Sequence, residues 1–189
     1  MREQILSSAA QLFIEQGYCG LPMRQIAESV GVTKAALYYH FKDKEDLFLA
    51  ILESHLDRIE TLVSGIQAEK ISCREKIGLF VRCILNQPVE QRAIIRLASQ
   101  EMTHLSIDSR KSFDSIYHAR FIDRIESILR AGISAGELRS VDSKIATWSL
   151  LGMMYPYFYP EHSAVVTLSD ETIEQLLIIF LDGMVANFE

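Results

Sequence analysis

Met23-Arg24-Gln25-Ile26-Ala27-Glu28-Ser29-Val30-Gly31-Val32-Thr33-Lys34-Ala35-Ala36-Leu37-Tyr38-Tyr39-His40-Phe41 is the stretch that decides how this chain is read. Ile26 and Val30 are four apart, and Leu37 and Phe41 repeat the spacing, so each pair lies on one face of a short helix. Gly31 stands between the two runs, where a sharp reversal resists a side chain. Pro22 suits a first helical position, and Thr33 is a good N-cap for the second helix. Ala27 is small where the helices cross, and Ile26, Val30 and Leu37 form the inner faces. The pattern is helix, tight turn, helix. Thr33, Lys34, Tyr38, Tyr39 and His40 are left largely outside the buried stripe. Such aromatic and basic groups on the outside of a short helix suit contact with phosphates and base edges. Ala35 and Ala36 would let the backbone approach a groove closely.

Working outward, the first helix is expected over Arg2–Gln16, with Ile5, Leu6, Ala9, Leu12 and Phe13 on one face and Gly17 as the stop. A fourth helix starts at Asp43, where acidic groups meet the positive end of the helix dipole, and runs to about Lys70. Ser72-Cys73-Arg74-Glu75 is a capping box opening a fifth. Further helices are expected from Pro88 to about His104, over Ser109–Ser134, from Asp142 to Phe158, and from Ser169 to near Asn187. No stretch alternates with period two. The reading is all-α, about nine helices, with a helix-turn-helix domain over residues 1–48 and a helical domain over 49–189.

Apolar residues make up 49% and charged residues 23%, as expected of an ordinary globular protein. The longest apolar run, Leu150–Pro160, is too short and too broken by proline for a membrane span, and the N-terminus has no export signal, so a cytoplasmic protein is expected. Cys19, Cys73 and Cys83 are odd in number and lack CxxC spacing, which suits reduced thiols. The net charge of −6 initially argues against a nucleic-acid partner. Its distribution softens the objection: within residues 21–44, Arg24, Lys34, Lys42 and Lys44 face only Glu28 and Asp43. DNA binding needs locally placed positive groups, not a basic whole.

Gly31-Val32-Thr33-Lys34-Ala35-Ala36-Leu37-Tyr38-Tyr39-His40-Phe41-Lys42-Asp43-Lys44-Glu45-Asp46-Leu47 resembles the signature of the TetR family, one-component bacterial transcription regulators that are usually repressors. The resemblance covers residues 2–50; beyond them it is one of length and helical architecture. It implies that Lys34 and Tyr39 probe base edges, that Tyr38 and His40 contact phosphates, and that Lys44 adds a phosphate contact at a helix N-terminus. Arg24 would reach the backbone from the second helix, with Thr33 and Ala35 completing the DNA-facing set. The family often has Thr or Ser where this chain has Leu21 and Pro22, so the capping hydroxyl and its phosphate contact are expected to be absent.

In the last helix, Leu176-Leu177-Ile178-Ile179-Phe180-Leu181 covers more than a full turn, so both sides call for burial, within the chain or against a partner. The resemblance implies a homodimer through the last two helices, about 142–158 and 169–187. Two recognition helices about 34 Å apart read successive major grooves. Arg96, Gln100, Met102, His104, Phe113, Tyr117, His118, Phe121, Trp148, Met153, Met154 and Tyr155 are candidates to line a site for a small apolar or amphipathic effector. Ordinary core packing accounts for the same residues equally well. Of these, Arg96, Gln100, His104, Tyr117, Phe121, Trp148 and Met153 form the candidate ligand set. No cofactor, metal or catalytic residue is expected: the five histidines lack HxxxH spacing, and neither a glycine-rich phosphate loop nor a GxSxG elbow occurs. An all-α adaptor or apolar-ligand carrier with a vestigial helix-turn-helix, and a TetR-like protein that occludes DNA without sensing ligands, are the remaining alternatives.

Overall fold

The structure is a computed structural model and describes residues 1–159 and 168–183. All regular structure among them is helical. The elements are α1 (Arg2–Gln16), α2 (Met23–Val30), α3 (Lys34–His40), α4 (Lys44–Ala68), α5 (Cys73–Leu85), α6 (Val89–Glu101), α7 (Ile107–Tyr117), α8 (Asp123–Ser134), α9 (Ser143–Met154) and α10 (Asp170–Asp182). The expected continuous helix over Ser109–Ser134 is present as α7 and α8, joined by a wide π turn at His118–Ile122. Counted as one, they make nine helices among the described residues, as the periodicity predicts. The π turn re-aims the side chains around it. The tilted rings of Tyr117 and Phe121 meet at 5.3 Å and Phe121 meets Phe80 of α5, while Arg120 and Arg124 turn onto Glu60 of α4. Two other ends tighten into 3-10 turns, Met102–His104 after α6 and Tyr155–Phe158 after α9. Pro156 accounts for the second, since it cannot donate into the ladder. The end of the last expected helix, residues 184–187, lies outside the described residues.

The chain gathers into two compact units, Met1–Arg58 with Ala93–Ile116, and Ile59–Arg92 with Tyr117 onward. In the first, Phe13 and Phe48 meet edge to face at 5.4 Å, and Tyr18 closes on Phe48 at 5.1 Å. Ile5, Leu21, Ile26, Leu37 and Leu47 are fully buried. Each such side chain contributes about 1.5–3 kcal/mol through burial, which outweighs the propensities of helices as short as α2 and α3. In the second unit Ile77, Phe80, Val81, Ile125, Leu129 and Leu150 are buried. There α5 begins at the expected capping box: Ser72 Oγ accepts from the Glu75 backbone N–H at 3.2 Å, and Glu75 Oε2 accepts from the Ser72 N–H at 2.8 Å. The Ser72 hydroxyl, which donates to the same Oε2 at 2.7 Å, and then the Ser72 N–H hold the Glu75 carboxyl below the usual range. The helices α5 and α8 approach closely at Gly132, where an added Cβ would lie 2.6 Å from that of Cys73. All three cysteines are free thiols, and no described helix is long and apolar enough to cross a membrane.

Candidate nucleic-acid interface

The core decides which face of α3 is left outward. Leu37 is fully buried, Phe41 nearly so, and Ile26 and Ala27 of α2 are buried with them, while Val30 is half-buried. Gly31 makes the turn at φ 74°, ψ 28°, its N–H reaching the carbonyls of Ala27 and Glu28, and the Val32 N–H closes on Ala27 O at 3.0 Å. Thr33 then caps α3, its Oγ1 accepting from the Ala36 N–H at 3.1 Å. The start of α2 has no side-chain cap, since Pro22 stands there. The absence of a hydroxyl at Leu21 and Pro22 is thus a structural fact as well as a sequence one.

Lys34 and Ala35 are exposed, Tyr39 is 85% exposed and Tyr38 43%. His40 is half-buried, its ring 5.2 Å from that of Tyr39. The Lys34 ammonium lies 5.7 Å from the Tyr38 ring, so a cation and a phenol share one edge of the helix. This face offers a cationic donor, two phenolic hydroxyls and an imidazole, a set able to meet phosphate oxygens and base acceptors. Two other candidates are engaged. Arg24 donates to Glu28 at 2.8 Å on the exposed side of α2, which raises its pKa. Lys44 donates through Nζ to the Tyr18 carbonyl at 2.8 Å and lies 4.4 Å over that ring. An ammonium has three N–H groups, so Lys44 can still meet an anion, but from a tethered position.

One cation has no assigned role in the sequence reading. Arg2, exposed in the first turn of α1, places its guanidinium 5.2 Å over the Phe41 ring at the end of α3. Its only sequence signal is a basic residue at a helix start, where the dipole is unfavourable unless something compensates.

The candidate effector residues fall in both units. Arg96 is half-buried, Gln100 is exposed, and His104 is exposed with Nε2 3.6 Å from Glu101 Oε2; all belong to the first unit. Tyr117, Phe121, Trp148 and Met153 belong to the second. There Tyr117 and Phe121 form one aromatic group with Phe80, which the sequence reading missed because only the fold brings α5 to it. Trp148 is 51% exposed, its ring 6.0 Å from that of His118, and Met153 is half-buried.

Residues 5–51 match the profile of bacterial regulatory proteins of the tetR family, and residues 70–156 that of the tetracyclin repressor-like C-terminal domain. The HTH-type transcriptional repressor KstR2 of Rhodococcus jostii (strain RHA1) is 27% identical over 187 residues, spanning 97% of this chain and 90% of its own. A transcriptional regulator of the TetR/AcrR family from Thermobifida fusca is 33% identical, with a TM-score of 0.70 and coverage of 96% and 97%. AibR, solved with isovaleryl coenzyme A and operator DNA, is 26% identical, with a TM-score of 0.75 and coverage of 94% and 96%. With the signature at 31–47, both profiles and whole-length likeness in agreement, the chain belongs to the TetR family of bacterial transcription regulators.

Proposed function

We propose that this protein is a homodimeric repressor that reads a palindromic operator through the major groove and is released by a small amphipathic effector. The observation that carries the reading is α3: Leu37 holds it in the core while Lys34, Tyr38 and Tyr39 point away from it into solvent. Lys34 and Tyr39 contact base edges; Tyr38, His40, Thr33, Lys44 and Arg24 contact phosphates, and Ala35 gives clearance. Arg24 must first leave or share Glu28.

The homodimer is supported by α9 and α10. Ile145 (67% exposed), Trp148 and Tyr155 recur along one side of α9 and its 3-10 extension, and Ile178 and Ile179 (69%) are exposed on α10. Large apolar side chains concentrated on two helices mark a surface that a second copy covers. The effector class is supported by the Phe80, Tyr117 and Phe121 group and by the isovaleryl coenzyme A complex of AibR. An acyl-coenzyme A is the class proposed here. The reading involves no catalytic step and no cofactor, and it places the protein in the cytoplasm, where the DNA is.

The test is Tyr39→Ala, assayed at fixed salt on a duplex that the wild-type protein selects from a random-sequence pool and on a scrambled control. The selected duplex should lose roughly tenfold or more in affinity, and the control about twofold or less. Equal losses on both would remove base readout from Tyr39.

A further inference from the structure

The first turn of α4 commits four consecutive side chains to four different places. Asp43 Oδ1 accepts from the Asp46 N–H at 2.8 Å and so caps its own helix. Lys44 reaches the Tyr18 carbonyl in the segment joining α1 to α2. Asp46 Oδ2 accepts from the Lys42 N–H at 2.9 Å, two residues past the end of α3. Glu45 reaches furthest along the chain. Its Oε1 accepts from Ser106 Oγ at 2.6 Å and from Ser109 Oγ, and its Oε2 accepts from the Ser106 N–H at 3.1 Å. Ser106 immediately precedes α7 and Ser109 lies in its first turn, where the Ser106 hydroxyl also accepts from the Ser109 N–H at 3.2 Å. All these residues lie in the same compact unit as α3.

We infer that Glu45 is a positioning residue for operator recognition, tying the exit of the recognition helix to the start of α7 so that the two move as one piece. The inference rests on the DNA-binding reading above. A simple stability tie would need only one hydrogen bond. Here both carboxylate oxygens are used, and the donors are two hydroxyls and a backbone N–H on one rigid turn, which fixes direction as well as distance. A carboxylate can accept all three, whereas an amide must turn a donor toward one of them. The carboxyl is held below its usual range, first by the Ser106 and Ser109 hydroxyls, as expected for a group committed to accepting. Orientation matters unequally for the two modes of DNA binding. Hydrogen bonds to base edges demand a fixed placement of α3, whereas the attraction of cations to the phosphate backbone is sequence-independent and far less directional. A loosened Glu45 tie should therefore reduce discrimination between sequences more than overall affinity for DNA.

The experiment uses the full chain, at fixed salt and well below its melting temperature, with fluorescence anisotropy on the wild-type-selected duplex and a scrambled duplex. The variants are Glu45→Gln, Glu45→Ala, Ser106→Ala with Ser109→Ala, and the three alanines combined. Glu45→Ala and the serine pair should each weaken the selected duplex by roughly tenfold, with the scrambled duplex changed by about twofold or less. The combination should lose no more than either alone, since both break the same tie. Glu45→Gln should fall between wild type and Glu45→Ala, and it carries the test if the alanine variant is unfolded at the assay temperature. Equal losses on both duplexes, additive losses, or a lowered melting temperature with unchanged discrimination would each overturn the inference alone. If the wild-type protein selects no duplex from the pool, the DNA-binding reading itself fails, and the inference falls with it.

Discussion

Gly31 and Gly132 are both small for a reason, and the reasons differ in kind. Gly31 sits at φ 74° with nothing within 4 Å of where a Cβ would stand, so an alanine there meets only the intrinsic cost of the left-handed conformation. Gly31→Ala should lower unfolding free energy by about 1 kcal/mol, and Gly31→Asn by less, because asparagine tolerates that region. Gly132 lies inside α8, where alanine would otherwise favour the helix, but its Cβ would press on the Cys73 side chain and lie 3.2 Å from Leu138 Cδ1. Gly132→Ala should therefore destabilise, by about 1–3 kcal/mol, against the sign that helix propensity gives. Urea unfolding of the variants decides both, and a stabilised Gly132→Ala would show that α5 yields at no cost. Gly31 is legible in the sequence because the residues that demand it are its immediate neighbours. Gly132 is illegible because the demand comes from Cys73 on another helix.

The same division between near and distant causes holds for whole elements. The capping box at Ser72–Glu75 and the core face of α1 were readable because helical periodicity and capping are local physics. The π turn at His118–Ile122 was not, since its side chains answer to Phe80 on α5 and Glu60 on α4. Nor was the engagement of Lys44, which depends on where the Tyr18 carbonyl lies. The run Leu176–Leu181 was half legible: Leu176, Leu177, Phe180 and Leu181 are buried within the chain, and Ile178 and Ile179 are left outside. That remainder gives a prediction about assembly. Ile179→Glu changes a side chain with no core role and places a charge where the proposed dimer would desolvate it. Analytical ultracentrifugation should show a dimer for the wild type and a monomer for the variant, with the melting temperature of the isolated chain little changed. A variant that remains dimeric would move the interface off α10. Trp148→Ala provides the matching test on α9, and the two losses should couple if the helices form one surface.

For the whole molecule the question is how occupancy in one part changes DNA binding in another. The compact unit that contains α3 also takes in residues 93–116, and both α4 and α6 have residues in each unit. The proposed release needs an equilibrium between a DNA-competent form and a released one. A ligand moves such an equilibrium only by its differential affinity for the two forms, and couplings of this kind typically change affinity about 5- to 150-fold. Straight and branched acyl-coenzyme A thioesters, from five to eighteen acyl carbons, should raise the melting temperature with an optimum in chain length. Free coenzyme A and the matching free acids should do so less. At roughly a hundredfold excess over its dissociation constant, the best thioester would stabilise the fold by about 2.7 kcal/mol, enough to see in a thermal scan. The same thioester should weaken the selected duplex, and by reciprocity the duplex should weaken the thioester by an equal factor. Phe121→Ala should reduce the thermal shift while leaving DNA affinity without ligand unchanged, because Phe121 packs on Tyr117 and Phe80 in the unit that does not contain α3. If no thioester shifts the melting temperature while the protein still discriminates its duplex, acyl-coenzyme A is the wrong effector class. Tyr117 and Phe121, with Phe80 beside them, then revert to ordinary core, the reading that the sequence allows equally for Tyr117 and Phe121.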